Sequence, residues 1–189
     1  NVIYAMSRTG ELVIINGKNT KSVLVNIPKL KGMDTLGKQF LLVGEKGMAL
    51  FDPEREVIIA EKELPFVAEF CAHYQDYPVI FDRQGRIHLV KSFDDLQTSK
   101  VPVQGQVTAF EESKNMKTRI FGMSDGTIYI VSSKGNITKL VGHRSRITKL
   151  KINGFRLFSS SYDGTMNSWF TNMSKIEPMT LLTTNGWML

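Results

Sequence analysis

The sequence predicts an all-β chain of short antiparallel strands, on three observations. Dipeptides ending in glycine recur between short β-rich runs: Thr9-Gly10, Lys46-Gly47, Gln84-Gly85, Asp125-Gly126 and Asp163-Gly164, with glycine spacings of 37, 38, 41 and 38 residues. Two apolar residues separated by two others stand upstream of the later hairpins, as Val67-x-x-Phe70, Val107-x-x-Phe110 and Ile147-x-x-Leu150, each step being 40 residues. The same step carries Ile147 to Trp187, and a weaker match, Met33-x-x-Leu36, precedes the second hairpin. Finally, no apolar pattern of helical period runs long enough to compete. Four-stranded units repeating at this interval are the signature of β-propeller blades. A β-sandwich, the other all-β reading, leaves five turns in register unexplained.

Each repeat reads as strands a, b, c and d, with the glycine turn between b and c. Glycine there supplies the positive φ that a tight hairpin needs. The b strands are expected at Val2–Met6, Phe40–Val43, Pro78–Phe81, Arg119–Met123 and Arg156–Ser159. The c strands follow at Glu11–Ile15, Met48–Phe51, Arg86–Val90, Thr127–Val131 and Thr165–Trp169. All of these runs are short and most are rich in β-branched or aromatic residues, as strands require. A d strand is expected at Ser22–Ile27, Glu56–Ala60, Lys100–Val103, Ile137–Val141 and Met179–Leu182. The apolar pairs mark strand a. The blades then span residues 1–28 (lacking strand a), 29–65, 66–104, 105–142 and 143–183, with 184–189 starting another.

The last full repeat carries a more specific signal. It reads Gly142-His143, Ile147-Thr148-Lys149-Leu150, then Leu157-Phe158-Ser159-Ser160-Ser161-Tyr162-Asp163-Gly164-Thr165 and on to Trp169. This resembles a WD40 repeat, with Phe170 where the family's Trp is followed by Asp. The preceding repeat keeps Ser124-Asp125-Gly126-Thr127, and the first three keep only the strand pattern. The resemblance implies a WD40-like propeller and a structural tetrad of His143, Ser159, Asp163 and Trp169. Asp163 would accept from His143, His143 would bond the Ser159 hydroxyl, and Ser159 would accept the Trp169 indole N–H. A Ser, a His and an Asp also invite a hydrolase reading. Buried indole and hydroxyl groups need partners, which favours the structural role.

Composition narrows the functions. The 189 residues carry a net charge of +6, with one cysteine and three histidines. Cys71 alone permits no internal disulfide and no multi-cysteine zinc site. No apolar run approaches the ~18 residues of a membrane span. A cytoplasmic location is expected, and the sequons at Asn136-Ile137-Thr138 and Asn172-Met173-Ser174 matter only in a secreted chain. Neither paired carboxylates nor metal-ligand spacing nor a phosphate-binding glycine loop stands out, so no cofactor, no metal and no catalysis are expected. Asp34 and Glu69, in or near strands a, are the acids an enzyme reading would use. His88 is expected to contribute to a strand face, and Cys71 to be a buried small apolar residue.

The leading expectation is a protein- or peptide-binding scaffold or sensor domain, part of a larger protein. The alternative is an anion- or nucleic-acid-binding propeller acting through residues 134–156. Lys134, Lys139, Arg144, Arg146, Lys149, Lys151 and Arg156 give residues 126–162 a charge of +7 with no acid, leaving −1 for the rest. Arg144 and Arg146, in a d–a loop, are the candidate partner-binding residues, because the arginine fork pairs with carboxylates. An acidic partner is the natural match, with nucleic acid less favoured. Propeller closure admits three solutions: a larger ring, two chains covering each other's open blade faces, or a C-terminal strand a joining the N-terminal b, c and d strands.

Overall fold

A computed structural model describes residues 2–7, 9–114 and 117–170, and the backbone of 178–182. The second sequon and the Trp187 strand fall outside these residues. The chain divides into two compact units, Asn1–Lys100 and Val101–Leu189. No helix occurs among the described residues.

The first unit holds three antiparallel meanders. β1 (Val2–Met6), β2 (Glu11–Asn16) and β3 (Asn19–Leu24) make a three-stranded sheet. β4 (Leu30–Leu36), β5 (Gln39–Gly44), β6 (Gly47–Asp52) and β7 (Val57–Glu63) make a four-stranded one. So do β8 (Ala68–Tyr74), β9 (Tyr77–Asp82), β10 (Arg86–Val90) and β11 (Leu96–Lys100). The second unit has two such sheets: β12 (Val107–Ser113), β13 (Thr118–Met123), β14 (Ile128–Ser132) and β15 (Ile137–Leu140); then β16 (Ile147–Asn153), β17 (Arg156–Ser161), β18 (Met166–Phe170) and β19 (Pro178–Leu182). The four-stranded antiparallel units predicted from the repeat are therefore present.

Alternation along the middle strands explains how the sheets stack. In β5, Leu42 joins one apolar cluster with Leu12, Ile14, Ala49 and Phe51, while Leu41 and Val43 join another with Met48, Ala68 and Ile80. A strand with period two can feed both faces only if both are covered. Phe51 is fully buried, a gain of roughly 1.5–3 kcal/mol for a side chain of this size. In the second unit, Ile120 and Ile128 meet Ile147, Leu150, Leu157 and Trp169. The last strands β3, β7, β11 and β15 are mostly exposed or half-buried.

Every four-stranded sheet has a register shift at the start of its first strand: Leu30/Gly32, Ala68/Phe70, Val107/Ala109 and Ile147/Lys149. In the second unit this β-bulge gives the apolar-x-x-apolar marker a physical cause, at Val107–Phe110 and Ile147–Leu150; Met33-x-x-Leu36 lies beyond its bulge, in regular register. In a regular strand, residues three apart lie on opposite faces. One extra residue returns them to the same face, so Ile147 and Leu150 enter one cluster.

Two expectations change. The fourth strand of the third sheet is Leu96–Lys100, ahead of the expected Lys100–Val103. A tight turn at Ser92–Asp95, closed by bonds from Lys91 N–H to Asp95 O and from Asp95 N–H to Ser92 O, sets that register. Gly47 is the first residue of β6 and lacks the positive φ of Gly10, Gly85, Gly126 and Gly164. Close packing accounts for it instead, since a Cβ there would lie 3.2 Å from the Lys62 carbonyl oxygen.

Candidate functional site

The loop joining β15 to β16 carries Gly142, His143, Arg144, Ser145 and Arg146. The structure brings His143 together with Ser159 of β17, Asp163 of the β17–β18 turn and Trp169 of β18. The Trp169 indole N–H donates to Ser159 Oγ at 2.8 Å, and Ser159 Oγ lies 2.7 Å from His143 Nε2. His143 Nδ1 faces Asp163 Oδ2 at 3.2 Å and Thr165 Oγ1 at 2.9 Å. The Asp163 carboxylate only accepts and the Thr165 hydroxyl proton is already given to it, so Nδ1 carries the ring proton; Nε2 of the neutral ring then accepts from the Ser159 hydroxyl, whose oxygen accepts the indole N–H. This assignment satisfies the donors and acceptors with His143 neutral. The Asp163 carboxylate also accepts from the Thr165 hydroxyl and from the Arg144 and Thr165 backbone N–H groups. Burial alone would raise its pKa; these bonds and the His143 ring outweigh that and lower it to about 2.

The same bonds fix the loop. Arg144 N–H binds Asp163 at 2.7 Å, Ser161 Oγ donates to the Ser145 carbonyl, and Tyr162 N–H donates to the Arg146 carbonyl. Gly126 fits beneath: a Cβ there would stand 2.7 Å from the His143 carbonyl oxygen. Arg144 is exposed and Arg146 half-buried. No ion pair of either side chain occurs among the described residues.

The remaining cations of the 134–156 stretch are dispersed. Lys151 is paired with Glu111 at 3.0 Å, and the Arg156 guanidinium lies over the Phe170 ring. Lys134 lies in the β14–β15 turn, Lys139 in β15 and Lys149 in β16. The acids of the enzyme reading are committed to neighbours: Asp34 to His73 at 2.9 Å, and Glu69 to Arg83, which also binds Glu45. Hydrogen bonding to Lys29 lowers the Glu45 pKa, and hydrogen bonding to Glu69 raises that of Arg83. Cys71 is half-buried rather than buried, as its backbone lies on the partly open β8; desolvation of the thiol itself still pushes its pKa up, and the nearby Asp34 carboxylate adds to the effect, so Cys71 is no thiolate nucleophile. No grouping of three metal-ligating side chains is present among the described residues.

A second buried polar network escaped the sequence reading. His88 of β10 puts Nε2 2.9 Å from Asp82 Oδ2 and Nδ1 2.9 Å from Thr98 Oγ1, and its ring stacks on Phe66 at 3.6 Å between centroids. Asp82, its side chain fully buried, also accepts from the Arg86 guanidinium at 2.6 Å and from the Gln84 and Arg86 backbone N–H groups. Burial opposes ionisation of Asp82, but the bonds from His88 and Arg86 prevail and its pKa is lowered. Desolvation holds His88 below its ordinary value despite Asp82. A cleft of about 270 Å³ opens beside it, lined by Pro65, Phe66, Arg86, His88, Leu96 and Thr98. One signal was available in sequence: with period two, Arg86, His88 and Val90 share a face of β10, so two N–H-donating side chains stand together a few positions beyond Asp82.

Among solved structures, the chain is similar to the β-propeller domain of Cps50 (Swd1) from Myceliophteria thermophila. The TM-score is 0.71, over 96% of this chain and 67% of that one. The fold is that of a β-propeller. Sequence identity is 11%, so the likeness extends to the fold alone. No protein family profile matches the sequence, and no curated protein does either. In propeller terms, the four-stranded sheets are blades, and His143 comes from the loop leading into the blade whose Trp169 it supports.

Proposed function

We propose that this propeller is a non-enzymatic interaction module that binds a protein or peptide partner at the loop carrying Arg144 and Arg146. One observation carries the reading: two arginines without ion-pair partners stand on a backbone held by a buried hydrogen-bond network. A preformed loop loses less entropy on binding, and unpaired guanidinium groups are free to take an acidic group. In this reading His143, Ser159, Asp163 and Trp169 are structural, since every polar atom that catalysis would need is committed within the blade. Asp34 and Glu69 support the same conclusion, the first being bonded to His73 and the second paired with Arg83. A cytoplasmic location accords with the lone Cys71.

Binding of an acidic peptide, measured by fluorescence polarisation against the charge-reversed protein R144E/R146E, tests the proposal. Loss of binding in the variant is expected. Equal binding by both proteins would contradict it. Self-association through open blade faces belongs to the same proposal, and light scattering that returns only the 21.3 kDa monomer mass removes it.

The nucleic-acid alternative predicts a different outcome. Contacts to several phosphates give affinity that falls steeply with salt. With Lys151 and Arg156 engaged inside the molecule, two arginines alone would give a shallow slope on a generic duplex.

A further inference from the structure

Tyr162 stands beside the exposed Arg144 and the half-buried Arg146. It is 72% exposed, large for an aromatic side chain in a turn. Its backbone is joined to the arginine loop at 3.0 Å through the Arg146 carbonyl. The residues on either side are joined to that loop as well: Ser161 Oγ to the Ser145 carbonyl at 2.8 Å, and Asp163 Oδ2 to Arg144 N–H at 2.7 Å. Residues 144–146 and 161–163 therefore run alongside each other, pinned by three bonds. Arg144, Arg146 and Tyr162 rise from this pinned pair of segments. Asp163, the acid between them, is consumed by three donors and by the His143 ring.

Resting on the function proposed above, we infer that Arg144, Arg146 and Tyr162 form one site for an extended peptide bearing a side-chain oxyanion next to an aromatic or apolar residue. The guanidinium forks supply donors in the geometry a carboxylate or phosphate accepts. The Tyr162 ring supplies apolar area with few rotatable bonds, the type of surface that dominates binding energy at interfaces. The charge placement selects a peptide over a nucleic acid. Lys151 is held by Glu111, Arg156 lies over Phe170, and Lys134, Lys139 and Lys149 stand on other elements, so the loop itself offers a spot for one or two acidic groups rather than a track along a phosphate backbone.

The test uses the full chain and fluorescein-labelled peptides with a central Glu, phosphoserine or Ser, flanked by either Phe or Gly. Acidic, Phe-flanked peptides are expected to bind, and whichever of the Glu and phosphoserine forms binds more tightly identifies the oxyanion. Arg144→Gln and Arg146→Gln are each expected to weaken binding about tenfold, as losing a charge-assisted bond at an interface does. Tyr162→Ala is expected to abolish the preference for Phe over Gly flanks while leaving Gly-flanked peptides unchanged. These residues are at the surface, and an unchanged melting temperature verifies the fold of each variant. A Tyr162→Ala protein that keeps the wild-type flank preference overturns this inference but leaves the proposed function standing, provided the arginine variants still lose binding. Arginine variants that bind like wild type overturn both. Tighter binding of a DNA or RNA oligonucleotide than of any peptide, lost in the same variants, also overturns the inference.

Discussion

The blade β16–β19 and the blade β8–β11 each bury a histidine between a carboxylate and a hydroxyl, yet they build the arrangement in opposite senses. His143 enters from a loop and turns Nδ1 to Asp163 and Nε2 to Ser159. His88 sits within a strand and turns Nε2 to Asp82 and Nδ1 to Thr98. In both, the aspartate also caps its own β-hairpin turn by accepting backbone N–H groups. The difference lies in what each network holds. Asp163 reaches across to Arg144 N–H and fixes a loop, whereas Asp82 binds Arg86 of its own hairpin and stabilises only that hairpin. The same local chemistry therefore serves a surface in one blade and the interior in the other.

The largest effect that would separate the two blades is expected from Trp169, which only the first network uses. Trp169→Ala should destabilise the protein by about 3–5 kcal/mol through the lost volume and the unpaired Ser159 hydroxyl. Trp169→Phe, which keeps an aromatic ring, should cost less, and urea unfolding measures both. Next is Asp82→Ala. It strands the buried His88 ring and removes the partner of Arg86, and should cost about 3 kcal/mol. Asp163→Ala should cost about 2 kcal/mol by the same measurement, its partners being neutral groups. Because Asp163 alone reaches the arginine loop, only its loss should accelerate hydrogen exchange at the Arg144 amide. Equal exchange in the two variants would erase the distinction.

The pH dependence sharpens the comparison further. Asp163 is lowered from 3.8 to about 2, so its contribution is complete above the unfolded value and is lost as pH falls through the folded one. That contribution is at most about 2 kcal/mol. His88 is also lowered, from 6.5, which for a base means that the folded state disfavours the charged form. Its contribution is complete above 6.5 and declines as pH falls below that value. His88→Gln should therefore flatten the stability profile just below pH 6.5 and leave the loss below pH 4 in place. Asp163→Asn should do the reverse. The smallest effect is expected for Thr98→Val, about 1 kcal/mol, because it removes a single hydrogen bond from His88 Nδ1.

Sequence and structure part company for identifiable reasons. The glycine-turn period located the hairpins because backbone geometry at those turns demands particular residues. The tetrad positions were visible because the last repeat keeps the GH, Asp-Gly-Thr and Trp elements of a WD40-like repeat in order. The Asp82–His88–Thr98 network had no such order to reveal it: its members come from the ends of β9, the middle of β10 and the middle of β11, and meet only once strand register is set. The bulges at Thr108 and Thr148 left a trace in the apolar-x-x-apolar spacing, but spacing alone does not distinguish a bulge from a strand end. Gly47 looked like the other turn glycines, and its role depends on the neighbouring Lys62 carbonyl, which lies 15 residues away in sequence. The role proposed for Arg144 and Arg146 had only charge behind it in the sequence, because the hydrogen bonds that fix the loop's backbone form only once the strands are in register.

Nitrogen NMR of histidine-labelled protein above pH 8 tests the two-network account most directly, because the ring nitrogens report which of them carries the proton. The account predicts opposite tautomers: Nδ1–H at His143, where Nε2 accepts from Ser159, and Nε2–H at His88, where Nδ1 accepts from Thr98. The same tautomer at both sites, or exchange averaging between tautomers at His143, would contradict it and would remove the fixed chain of bonds from Trp169 to the loop that carries Arg144 and Arg146.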